Sequence, residues 1–136
     1  MKSESHKSIE SFVEDIACAT LQHGGVAFKL DICQFLPPMD VWAFPKYPSK
    51  TAILPQDVPL IAALRDFILA NEVFLREPDC WLGTWIHPQT HEFYLDITTG
   101  CADLDTARQM ALETSQREGR KIVAIYNSKH KETIYL

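Results

Sequence analysis

Residues 81–97 read WLGTWIHPQTHEFYLDI, and the rest of the fold can be placed around them. Two strand-like runs, Trp81–Ile86 and Phe93–Ile97, flank the connection His87–Glu92, which contains Pro88. A proline in a short polar connection stops either run from continuing, so an antiparallel hairpin with its turn inside 87–92 is expected. Side chains alternate across a strand. Trp81 and Trp85 therefore share one face, and Asp96 lies on the face of Tyr94, opposite Leu95.

Upstream, Leu60, Ile61, Leu64, Phe67 and Ile68 recur at helical spacing. They predict a helix that opens at Asp57, tolerates Pro59 in its first turn and ends before Pro78. Pro37, Pro38, Pro45, Pro48 and Pro55 make the stretch before it a long, stiffened connection. Strands are expected at Val26–Leu30 and around Val41–Phe44, paired with each other. A first helix carries Ile9, Phe12, Val13, Ile16, Ala17 and Leu21, with Ser8 as its cap and Gly24–Gly25 as its stop, which leaves residues 1–7 as a polar arm.

Downstream, Asp103 or Asp105 caps a third helix with Leu104, Ala107, Ala111 and Thr114 inward, and Gly119 ends it. Lys121–Tyr126 and Thr133–Leu136 then form a last strand pair. The expected order is α-β-β-α-β-β-α-β-β. This is a single α+β domain over 8–136, with a mostly antiparallel sheet of about six strands packed against three helices.

Composition narrows the classes of function. The chain has 136 residues, 46% of them hydrophobic, enough to bury one core without metal or disulfide staples. Eighteen acidic side chains against 13 basic ones leave a net charge of -5, which works against unspecific attraction to phosphate backbones. No run approaches the roughly 20 apolar residues of a membrane helix, and the polar start does not read as a secretion signal. A cytoplasmic protein with free thiols is expected, since Cys18, Cys33, Cys80 and Cys101 form no CxxC pair.

Several residues are candidates for chemistry. His87 and His91, with Glu92 beside them, could approach one metal ion, but a hairpin loop lacks the one-face geometry of a helical HExxH, and no metal or cofactor is expected. Cys101 stands at a strand-to-helix junction where backbone N–H groups favour a thiolate; a histidine would have to serve as its base. Asp96 is the odd residue in an apolar strand, either a structural hydrogen-bonding group or an acid–base one. Trp42, Phe44 and Tyr47 on the proline-rich connection, and Trp85 on the hairpin, are candidate contact residues for a protein partner. Arg120, Lys129 and Lys131 are candidates for nucleic acid, although no stacking aromatic is interleaved among them.

The stretches Leu82–Thr90, Tyr94–Thr98, Asp105–Ala107, Lys121–Asn127 and Glu132–Tyr135 resemble small uncharacterised domains of bacterial, phage and plasmid proteins. The resemblance covers about the last two fifths of the chain and implies the order of elements, with no activity attached to it. The sequence thus favours a non-catalytic interaction or accessory module that binds a protein partner or itself. A small thiol or acid–base enzyme using Cys101 with a histidine, and a nucleic-acid accessory protein, are the alternatives.

Overall fold

The computed structural model describes residues 2–136, with side chains from Ile9 onward. It contains three helices and one eight-stranded antiparallel sheet, an α+β fold. Helix α1 spans Lys2–His23. Residues 2–8 contain neither Gly nor Pro, and the helical backbone runs through them; the polar arm thus continues the helix, Ser8 is no cap, and Met1 lies outside the described residues. Phe12, Val13, Ile16, Ala17 and Thr20 form its buried stripe. Gly24, at φ +83°, ends it in a left-handed conformation that costs glycine little.

Strand β1, Gly25–Lys29, pairs on one edge with the two-residue β2, Gln34–Phe35, and on the other with β5, Trp81–Ile86. Both edges of β1 are therefore taken. The expected pairing of β1 with the strand near residues 41–44 is corrected on that account: Pro37 and Pro38 carry the chain across, and β3, Trp42–Pro45, pairs instead with β6 and β7. Strand β6, Phe93–Cys101, is the spine of the sheet, and β5 pairs with it over six residues through the expected hairpin, closed by His87 N–H donating to the Glu92 carbonyl at 2.9 Å.

Along its other edge β6 is met by an interrupted strand. Strand β3 covers Thr98–Cys101 and β4, Ala52–Leu54, covers Phe93–Leu95. Residues 46–51 make an excursion between the two pairings, opposite Asp96 and Ile97. This divided edge and the short β2 raise the strand number from the six expected to eight.

Helix α2, Leu60–Leu75, starts after Pro59, one turn later than Asp57. Helix α3, Leu104–Glu118, is capped by Asp103, whose carboxylate accepts from Thr106 N–H at 2.9 Å, and it ends at Gly119 with φ +69°. Strands β7, Ala124–Asn127, and β8, Glu132–Tyr135, close the chain. Residues 121–123 precede β7 without joining it, because Ile122 turns into the core under α3 and its N–H bonds Ser115 Oγ at 2.9 Å.

All three helices lie on one face of the sheet. Leu82, Phe93, Leu95 and Ile97 meet α1 and α2, while Trp42, Phe44 and Ile125 meet α3. Among the described residues no α-helix lies on the opposite face, and it is toward this face that the sheet curls. In the strand order β2-β1-β5-β6-β3-β7-β8, β5 and β8 are four places apart. A flat sheet would separate them by about 19 Å at the usual strand spacing, yet the rings of Trp85 and Tyr135 lie 6.5 Å apart. The sheet is a half-barrel with an open concave face.

Candidate functional site

The concave face is built from a grid that the hairpin register fixes. Trp85 pairs with Tyr94, Gly83 with Asp96 and Trp81 with Thr98, and the alternation of both strands turns these six residues away from the helices. A Cβ at Gly83 would clash with the Thr98 side chain across the pair, so glycine keeps the floor open here. Small residues continue the floor on both sides, with Gly25 and Ala27 from β1 and Ala43 from β3. The resulting cleft has a volume of about 960 Å³.

Asp96 stands at the centre of this floor, opposite the gap between β3 and β4. Thr51, the last residue of the excursion, reaches through the gap, and its Oγ1 donates to one carboxylate oxygen at 2.6 Å. Arg120, just past α3, donates from Nη1 to the Thr51 carbonyl at 2.8 Å. Burial pushes the Asp96 carboxyl up to about 6, against the opposing effects of the Thr51 hydrogen bond and the Arg120 charge. A carboxyl so raised, on the floor of this cleft and beside a guanidinium, is a mark of a functional site. Burial likewise raises the Tyr94 phenol beside it.

At one end of the cleft Trp85 and Tyr94 belong to a cluster of aromatic rings. Trp85 lies 5.0 Å from His87 and 5.2 Å from Tyr94, and Tyr135 from β8 reaches His87 at 6.4 Å. His87 is held twice over, since its Nδ1 also accepts from Gln89 N–H at 3.1 Å and Thr90 N–H at 3.4 Å. Its ring serves the turn and the cluster, while His91 is exposed at positive φ. Among the described residues the two do not form a ligand set with Glu92. One cluster does present three metal-type ligand atoms within 4.8 Å, Glu77, Asp79 and Cys80, but the Lys46 ammonium already lies among them, 2.7 Å from Glu77 and 3.0 Å from Asp79.

The other sequence candidates are dispersed. Cys101 packs half-buried against the core under α3, and among the described hydrogen bonds none joins it to a histidine. His87 and His91 lie beyond the far end of β6, about 27 Å away at the usual rise per residue, and His130 faces Asp40 at 3.3 Å. Trp42 and Phe44, candidate contact residues for a protein partner, are 7% and 3% exposed, because β3 is an interior strand that turns them under α3. Tyr47 is half-buried, with its ring 5.1 Å from Phe74 and its hydroxyl donating to Glu77 at 2.9 Å. The proline-rich connection thus covers the domain with its aromatic rings. Lys129 and Lys131 are exposed on the β7–β8 turn; Arg120, half-buried in the cleft wall, does not join them on an outer patch, although Lys131 and Lys121 also line the cleft.

No protein-family model matches the chain, and neither a curated protein nor a solved structure matches it significantly. The fold and the cleft define it as an α+β protein with a curled sheet open on one face. Among the described residues no helix is long and apolar enough to cross a membrane.

The four thiols give a direct check on these placements. Cys18 and Cys33 are exposed, Cys101 is half-buried, and burial pushes the Cys80 thiol up to about 12, with the Asp79 carboxylate adding to the effect. Native alkylation followed by mass spectrometry is expected to label Cys18 and Cys33 first, Cys101 later and Cys80 only on unfolding. Preferential labelling of Cys101 would restore a reactive thiol at the β6–α3 junction.

Proposed function

We propose that this chain is a binding module whose ligand is taken up on the concave face of the sheet. The observation that carries the reading is the cleft of about 960 Å³ on the face without helices. Its size lies at the upper end of ligand pockets, and its make-up is theirs as well, aromatic and aliphatic walls with a few convergent polar groups. Of the contact candidates from the sequence, Trp85 and Phe44 line the cleft, and the Trp42 ring packs under α3 on the other face of the sheet.

A neutral fluorescent probe, N-phenyl-1-naphthylamine, tests this reading without presuming a charge on the ligand. Saturable binding with one site per chain is expected. Ala43→Trp, which fills the floor from β3, should abolish it while the melting temperature moves by only a few degrees. Lack of saturable binding, or equal binding by the variant, would overturn the proposal.

A second reading has one observation in its favour. A carboxyl raised to about 6 beside a phenol and a guanidinium is suited to acid–base chemistry on a bound molecule. Asp96→Asn separates the two, since a pure binding module retains uptake of the neutral probe and has no turnover to lose.

A further inference from the structure

Within the binding reading proposed above, on which this inference rests, we infer that the cleft is selective for an amphipathic organic monocarboxylate, its head group near Arg120 and Lys121 and its apolar body along Trp81, Gly83 and Trp85. Charge complementarity points to an anion. The whole chain carries -5, yet among the described residues the cleft is lined by Arg120, Lys121, Lys131 and His23 against one carboxylate, Asp96. A cleft of opposite sign to its protein concentrates counter-charged ligands there and repels them elsewhere.

The geometry separates the two parts of such a ligand. Arg120 uses Nη1 to hold the Thr51 carbonyl, and a guanidinium has further N–H groups in its fork with which to meet a carboxylate. Lys121 is exposed beside it. The grid floor offers the body two indoles, separated by a glycine, and no charge but Asp96. Asp96 is the one feature that opposes an anion. Thr51 donates to one of its oxygens, Arg120 is the charged group that acts on it, and burial already favours its neutral form. Protonation of Asp96 removes the repulsion, so uptake of the anion strengthens as pH falls through about 6.

Calorimetric titration with octanoate, octylammonium and 1-octanol, which share one body and differ in head charge, tests the inference. At pH 7.5 octanoate is expected to bind at least ten-fold more tightly than either of the others, and more tightly still at pH 5.5. Lys121→Glu alters an exposed side chain at the rim; it should weaken octanoate several-fold and leave 1-octanol unchanged. Equal affinities for all three compounds would overturn the inference and leave the binding cleft standing. Tighter binding of octylammonium would overturn it by reversing the sign. Failure of all three to bind overturns the inference alone where the neutral probe still binds, and both where it does not.

Discussion

Asp96→Asn is expected to stabilise the protein by about 1–2 kcal/mol at pH 7.5 and to leave its stability nearly unchanged at pH 4. A carboxyl that titrates near 6 in the folded protein and near its ordinary value of 3.8 when unfolded holds its proton more tightly in the folded state. Its ionisation therefore costs stability progressively as pH rises from about 4 through about 6, and the cost is constant above that. Two pKa units correspond to about 3 kcal/mol at most. Asparagine removes the ionisation and keeps an amide oxygen for Thr51, but it brings an NH2 group that needs an acceptor or water, so the net gain is smaller. Urea denaturation of both proteins at the two pH values measures the difference and cancels the contribution of the other carboxylates. A loss of stability of the same size at both pH values would make Asp96 a structural acceptor for Thr51 and remove the reason to regard it as functional. A gain confined to neutral pH would mark a residue kept at the expense of stability, as ligand-binding groups often are.

Local signals account for most of what the sequence showed. The hairpin, the three helices, the Asp103 cap and the Gly119 stop all rest on alternation, helical spacing and residues with strong backbone preferences, which act within a few positions. The grid was half legible in the same way, since alternation alone places Tyr94 with Asp96 and Trp81 with Trp85. What the sequence could not show was set by pairing over long separations. That β3 lies between β6 and β7 decides whether Trp42 and Phe44 are anchors or core, and nothing within residues 37–55 records it. The excursion at 46–51 is the other case. Thr51 meets Asp96 across 45 positions and Arg120 meets Thr51 across 69, so the group that makes Asp96 distinctive has no local trace. Tyr135 was partly readable, because alternation with Thr133 puts both on one face of β8, but its approach to Trp85 depends on the curl of the whole sheet.

The same excursion gives the second large effect. Lys46→Met is expected to cost about 2 kcal/mol at pH 7 and much less at pH 3. The Lys46 ammonium is 2.7 Å from Glu77 and 3.0 Å from each oxygen of Asp79, while Tyr47 donates to Glu77 beside it. The hydrogen bond to Glu77, chiefly, holds the ammonium well above the ordinary lysine range, and Lys46 holds both carboxyls below theirs. Charge-assisted hydrogen bonds contribute about 1.5–3 kcal/mol each when well protected, but Lys46 is 31% exposed and Asp79 57% exposed, so solvent screening reduces the total. Methionine keeps the aliphatic stem and removes only the charge, which leaves two carboxylates facing each other above the buried Cys80. The depressed carboxyl values place their contribution above about pH 4, to be lost as pH falls through the folded values; the raised lysine value keeps its contribution intact below about 10.5. Urea midpoints for wild type and variant at pH 7 and pH 3 are the measurement. An equal loss at both would show that the loss does not come from pairing with the two carboxylates. If the charge is what matters, the effect extends to the cleft, because Lys46 pins the start of the excursion whose last residue, Thr51, bonds Asp96. The variant should then bind the neutral probe more weakly, although Lys46 does not line the cleft.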